Sequence, residues 1–105
     1  MDYIVVYITT PDYETAKKLA DYLVNNKLAA CVNIVENIYS IYFWQGNIER
    51  DNESLMIIKT RADLFEKLEE EVKKNHPYSV PEIIAMPIIK GSNDYLKWID
   101  ETVNR

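Results

Sequence analysis

CVNIVENIYSIYFWQGNIERDNESLMIIKT, residues 31–60, is the stretch that decides the fold. Two runs rich in β-branched and aromatic residues, 31–44 and 53–60, flank a polar segment, 45–52. That pattern predicts an antiparallel hairpin with a polar bend between its arms. The first arm is too long for the domain that carries it. About 14 extended residues at ~3.3 Å each span ~46 Å. A chain of this length packs into a body with a radius of gyration of ~13 Å, about 35 Å across. The excess needs a partner outside the chain, and further copies of the same chain are the simplest supply. Glu36-Asn37 interrupts the apolar alternation, which predicts a bulge or bend. Beyond it apolar and aromatic groups point both ways, so Tyr39, Ile41, Tyr42, Phe43 and Trp44 are the candidates for an interface between copies.

Helical and strand patterns flank this hairpin on both sides. Tyr3-Ile4-Val5-Val6-Tyr7-Ile8 is almost wholly apolar, as a central strand buried on both faces would be. Thr10-Pro11-Asp12 opens a helix, with proline expected in its first turn, and Ala16, Leu19, Ala20, Leu23 and Val24 form one apolar face. After the hairpin, Thr60 and Asp63 approximate a capping box for a second helix with Leu64, Phe65, Leu68 and Val72 inward, ended by Pro77. Residues 82–90 read as a strand, placed at an edge or bulge because Pro87 cannot donate to a ladder. Asn93 is expected to cap a short last helix with Leu96, Ile99 and Val103 inward. The order β-α-β-β-α-β plus a terminal helix predicts an α+β fold of the ferredoxin-like kind, one domain over residues 1–105, its antiparallel sheet built around the long central hairpin.

The totals narrow the function. The net charge is −5 and no run of Lys and Arg exceeds two residues, which argues against a nucleic-acid or anionic-membrane surface. A single cysteine excludes an intrachain disulfide. The opening residues lack the pattern of a signal peptide and no apolar run approaches a membrane span, so a cytoplasmic setting is expected. The sequon Asn52-Glu53-Ser54 is then without consequence. Gly46 and Gly91 are the only glycines, which excludes a phosphate-cradling loop; no organic cofactor is implied.

Few residues suggest chemistry. Cys31 reads as a small buried residue, with a metal ligand or reactive thiol as the alternative. His76, just before Pro77, reads either as the imidazole that closes a helix or as a metal ligand or general base. Lys59 and Glu82 are charges at the ends of apolar strands of one sheet. They are either solvated ends or an anion-binding lysine and an orienting carboxylate at a cleft mouth, with Tyr78, Trp44 and Trp98 as further lining candidates. No nucleophile has a partner that spacing identifies, so an enzyme is not expected.

Leu28-Ala29-Ala30-Cys31-Val32-Asn33, Tyr42-Phe43-Trp44-Gln45-Gly46, Ile58-Lys59-Thr60, His76-Pro77-Tyr78-Ser79-Val80-Pro81-Glu82-Ile83 and Tyr95-Leu96-Lys97-Trp98-Ile99 together resemble the CutA family of divalent-cation tolerance proteins. The resemblance runs nearly end to end. It implies a stable homotrimer of ferredoxin-like subunits, similar in architecture to the PII signalling proteins, and a role in tolerance of copper or another divalent metal. Members credited with copper binding carry a cysteine in the first strand and a histidine pair before Pro-Tyr. The corresponding positions here are Ile8 and Asn75, leaving His76 alone of that set. A PII-like sensor of a small anion, or a trimer that serves only as a scaffold, are the rival readings.

Overall fold

The computed structural model describes residues 2–104. Its elements run β1 (Tyr3–Thr10), α1 (Tyr13–Asn25), β2 (Cys31–Trp44), β3 (Asn47–Arg61), a 3-10 turn (Ala62–Leu64), α2 (Phe65–Asn75), β4 (Ile83–Pro87) and α3 (Asn93–Thr102). The four strands form one sheet in the order β2-β3-β1-β4, each neighbouring pair antiparallel. This is the ferredoxin-like arrangement with one added helix, as expected. β4 is the short edge strand that Pro87 demands.

β1 is central, but only one of its faces is buried. Ile4, Val6, Ile8 and Thr10 are covered, while Tyr3, Val5, Tyr7 and Thr9 are half-exposed. The buried row packs with Leu19 and Leu23 of α1, Leu68 and Val72 of α2, and Met56 and Ile58 of β3. Both long helices therefore lie on the same side of the sheet, and the other side is left open by this chain except at the end where Tyr3 pairs with Arg61, which α3 covers. That corrects the expectation of a strand covered twice. α3 forms a separate, smaller contact in which Ile99 and Val103 pack with Ala30.

Local chemistry sets the element ends. Asp12 caps α1 by accepting a hydrogen bond from the Thr15 N–H at 2.8 Å, so Pro11 precedes the cap instead of occupying the first turn. Val24 lies on the exposed side of α1, not on its apolar face. The capping box at Thr60 and Asp63 does not form. Thr60 is still in β3 and its hydroxyl donates to the Leu28 carbonyl at 2.7 Å, while Asp63 pairs with Arg61. Ser92, not Asn93, precedes the first turn of α3.

The hairpin is longer and its bend tighter than the sequence suggests. β3 begins at Asn47, so the polar residues 47–52 are strand and the turn is Gln45-Gly46 alone. Both turn residues have positive φ, 51° and 83°, the backbone of a two-residue turn that follows the sheet twist. Gly46 takes this conformation without the steric cost of roughly 1–2 kcal/mol that Gln45 bears. The expected bulge is present, with the register shifting between Val35 and Ile38 so that Glu36 and Asn37 face the single residue Ser54. The Ser54 hydroxyl donates to the Glu36 carbonyl at 2.7 Å and fixes that irregularity. The described chain measures 44 × 25 × 22 Å. The arm projects, as the length argument requires.

Candidate functional site

The root of the arm and the segment after α2 form the walls of a cleft. α2 ends at Asn75, and His76 adopts an extended backbone ahead of Pro77, which disfavours helix in the residue before it. The His76 ring is buried, and the backbone N–H of Tyr78 donates to its Nδ1 at 3.1 Å. An N–H can only donate, so Nδ1 is the acceptor and the imidazole proton sits on Nε2. Nε2 then donates to the Thr9 carbonyl at 2.8 Å. The Tyr78 ring lies tilted on the imidazole with centroids 4.8 Å apart, and its hydroxyl donates to Glu53 Oε2 at 2.7 Å. Glu53 is 7% exposed and follows the bulge, pairing across the hairpin with Ile38.

The cleft holds about 550 Å³ and is lined by Thr9, Ser40, Ile41, Tyr42, Trp44, Glu53, Tyr78, Ser79, Val80 and Glu82. Past the bulge, strand alternation puts Ser40, Tyr42 and Trp44 on the cleft side and Tyr39 and Phe43 on the other, with Ile41 reaching the cleft edge. Exposure follows that division. Tyr39, Ile41 and Phe43 are 62%, 62% and 75% exposed, against 39% and 41% for Tyr42 and Trp44.

The cleft is acidic. Two carboxylates line it, none of the lining side chains is basic, and a third carboxylate stands beside it, because Asp51 Oδ2 accepts from the Tyr42 hydroxyl at 2.6 Å. The Tyr42 hydroxyl is pushed up to about 12, first by that hydrogen bond, then by burial and by the charges of Asp51, Glu53 and Glu49. The Tyr78 hydroxyl is raised as well, chiefly by burial and next by its bond to Glu53. Both phenols stay protonated and act as donors to carboxylates. Chemically, the arrangement suits a cation.

Of the cleft residues expected from sequence, Trp44, Tyr78 and Glu82 come together and Lys59 and Trp98 do not. Lys59 faces Val5 and Cys31 across the sheet, whereas Ile83, next to Glu82, pairs with Ile8. The two charges are thus offset by about four residues along β1, or ~13 Å. The Lys59 ammonium donates to Asn33 Oδ1. Trp98 sits on α3 against Tyr95, ring centroids 5.4 Å apart. Cys31 is half-exposed on the open side of the sheet, its Sγ 3.8 Å from Asn33 Oδ1, which corrects the reading of a buried packing residue. Glu53, Asp51 and Thr9 were not singled out as site residues. The alternation of Leu55 and Ile57, extended backwards by two, would have placed Glu53 on their face.

The donor set for a transition metal does not assemble within this chain. Both His76 nitrogens are engaged, Ile8 is in the core, and the Asn75 amide donates to the Glu71 carbonyl at 2.8 Å. Among the described residues no three of His, Cys, Asp and Glu gather closely enough to hold a metal ion, and no helix is long and apolar enough to cross a membrane.

Comparison with known proteins shows the family and the same fold. Residues 4–102 match the family described as CutA1 divalent ion tolerance protein. The chain is 56% identical over 96 residues to the chloroplastic protein CutA of Arabidopsis thaliana, covering 91% of this chain and 53% of that one. It is 52% identical over 97 residues to the divalent-cation tolerance protein CutA of Thermus thermophilus, covering 92% and 94%. The chain thus spans about half the length of the plant relatives it matches and nearly all of the bacterial one. The crystal structure of CutA1 from Oryza sativa superposes with a TM-score of 0.97 at 48% identity, covering 100% of this chain and 96% of that one. That of the Thermus thermophilus protein gives 0.95 at 49% identity, covering 97% and 99%. By sequence and by fold, this chain belongs to the CutA1 divalent ion tolerance family.

Proposed function

We propose that the chain serves divalent-cation tolerance as a cytoplasmic homotrimer whose clefts bind cations weakly. The observation that carries this reading is the charge of the cleft, with Glu53 and Glu82 lining it, Asp51 beside it and no basic side chain among its walls. The relatives are named for divalent-cation tolerance, and their fold is the fold of this chain. Weak binding follows from the ligands. Two carboxylates, one already hydrogen-bonded by Tyr78, leave most of a metal's coordination to water, as in sites with dissociation constants on the order of 10⁻⁴–10⁻³ M. Copper prefers imidazole and thiolate, and here His76 has no lone pair to offer. The trimer rests on the projecting arm, whose most exposed rings need cover that this chain does not supply. A half-exposed free thiol at Cys31 suits a reducing compartment. The cation reading is preferred to an anion sensor because, within this chain, Lys59 lies away from the cleft.

Calorimetric titration of the assembled protein with copper(II) and zinc(II) tests the cation reading. Weak, saturable binding that is reduced in Glu82→Gln and unchanged in His76→Ala is the expected result. Tight copper binding abolished by His76→Ala would overturn it.

A further inference from the structure

We propose that the cleft selects a small organic cation, an alkylammonium or quaternary ammonium group, held between the aromatic side chains of Tyr42, Trp44 and Tyr78 and neutralised by Glu53 and Glu82. This rests on the reading of the cleft as cation-binding and names the class of cation. Two independent features point to it. The first is the wall. Three of the ten lining residues are Tyr or Trp, and aromatic faces offer nothing to a strongly hydrated divalent ion, which needs six or more oxygen ligands. They do attract a weakly hydrated organic cation through the ring quadrupole. The second is Glu53, a carboxylate at 7% exposure whose side chain takes one hydrogen bond among the described residues, from Tyr78. Tyr78 occupies one of its oxygens, and the remaining charge suits a monovalent cation that gives up little hydration on entering. The volume, about 550 Å³, admits a substituted ammonium with its alkyl groups. Thr9, Ser40 and Ser79 supply hydroxyls for an ammonium that still carries N–H groups.

The test uses the intact assembly carrying Trp98→Phe, which leaves Trp44 as its only tryptophan. Tetramethylammonium chloride is titrated at constant ionic strength against sodium chloride while Trp44 fluorescence is followed, with tert-butanol as the neutral control of similar shape. The expected result is a saturable change at millimolar concentration with the ammonium and none with the alcohol. Calorimetry on Trp44→Leu in the otherwise native chain should show binding weakened about 3- to 30-fold, the loss of one cation–π contact. Because Trp44→Leu also touches the arm, Glu82→Gln provides a second variant at an exposed side chain and should weaken binding without changing the assembly. A linear response, or equal responses to ammonium and alcohol, overturns the proposal. Divalent metal binding with silence toward tetramethylammonium defeats this inference and leaves the cation-binding cleft standing. Silence toward both defeats both.

Discussion

The imidazole Nε2 of His76 donates to the carbonyl oxygen of Thr9 at 2.8 Å, tying the end of α2 to the last residues of β1. With Nδ1 accepting from Tyr78, the ring is a structural pin that holds one wall of the cleft against its floor.

His76→Ala should therefore cost stability, not metal binding. It leaves a carbonyl and an N–H without their partner in a mostly buried place, a loss of about 1–3 kcal/mol. Urea denaturation should show a lower midpoint, while the copper isotherm stays that of the unsubstituted protein.

Arg61 holds α3 in place. Its guanidinium, with a side chain 3% exposed, donates to Asp63 at 3.0 and 3.1 Å, to Asp100 at 3.3 Å and to the Asn104 carbonyl at 2.7 Å. Arg61→Met should loosen α3, seen as faster amide exchange across 93–102 than in the rest of the chain. The same network sets an acid limit. The hydrogen bond from Arg61 holds the Asp63 carboxyl below its ordinary value. A depressed carboxylate contributes stability that is present above its unfolded pKa of about 3.9 and is lost as pH falls through the folded value. Thermal melts taken downward from pH 5 should fall more steeply for the native chain than for Asp63→Asn.

Tyr42 sets a limit at the other end. Its hydroxyl ionises near 12 when folded and near 10 when unfolded, so its hydrogen bond to Asp51 stabilises fully below about pH 10 and is lost as pH rises toward 12. Phenolate absorbance should show one late-titrating tyrosine fewer in Tyr42→Phe, with Tyr78 still titrating late. Alkaline melts of that variant should depend less on pH.

Phe43→Lys addresses the assembly. The side chain is 75% exposed in the single chain, so the subunit should fold with unchanged circular dichroism. Light scattering at micromolar concentration should find the trimer dissociated or greatly weakened, because a charge at the centre of a covered patch is left unpaired. A trimer of undiminished stability would remove the arm from the interface.

The sequence made the fold legible wherever a segment was either wholly inside or patterned for one face. The long strand 31–44, the bulge at Glu36-Asn37 and the edge position of β4 all follow from side-chain type. It misled where the chain reaches past its own core. Residues 47–52 are polar and look like a bend, yet polarity signals a turn only when a strand would otherwise be buried, and this arm is not. β1 is apolar on both faces although the chain covers only one, and an unalternating apolar run does not tell those two cases apart. The site was legible as a set of residue types and not as a set of neighbours. Trp44, Tyr78 and Glu82 were recognisable, but the meeting of Glu53 with Tyr78, 25 residues apart in sequence, depends on a strand register that no local pattern reveals. The same register separates Lys59 from Glu82.

Counting along the arm brings out what the bulge does. In an unbroken ladder continuing from Val35 opposite Leu55, the odd-numbered positions would go on sharing a side with Glu53, and Tyr39, Ile41 and Phe43 would turn toward the carboxylates. One supernumerary residue at 36–37 reverses that parity. The choice of which rings line the cleft and which point away from it is thus written in the chain's arithmetic as much as in its chemistry.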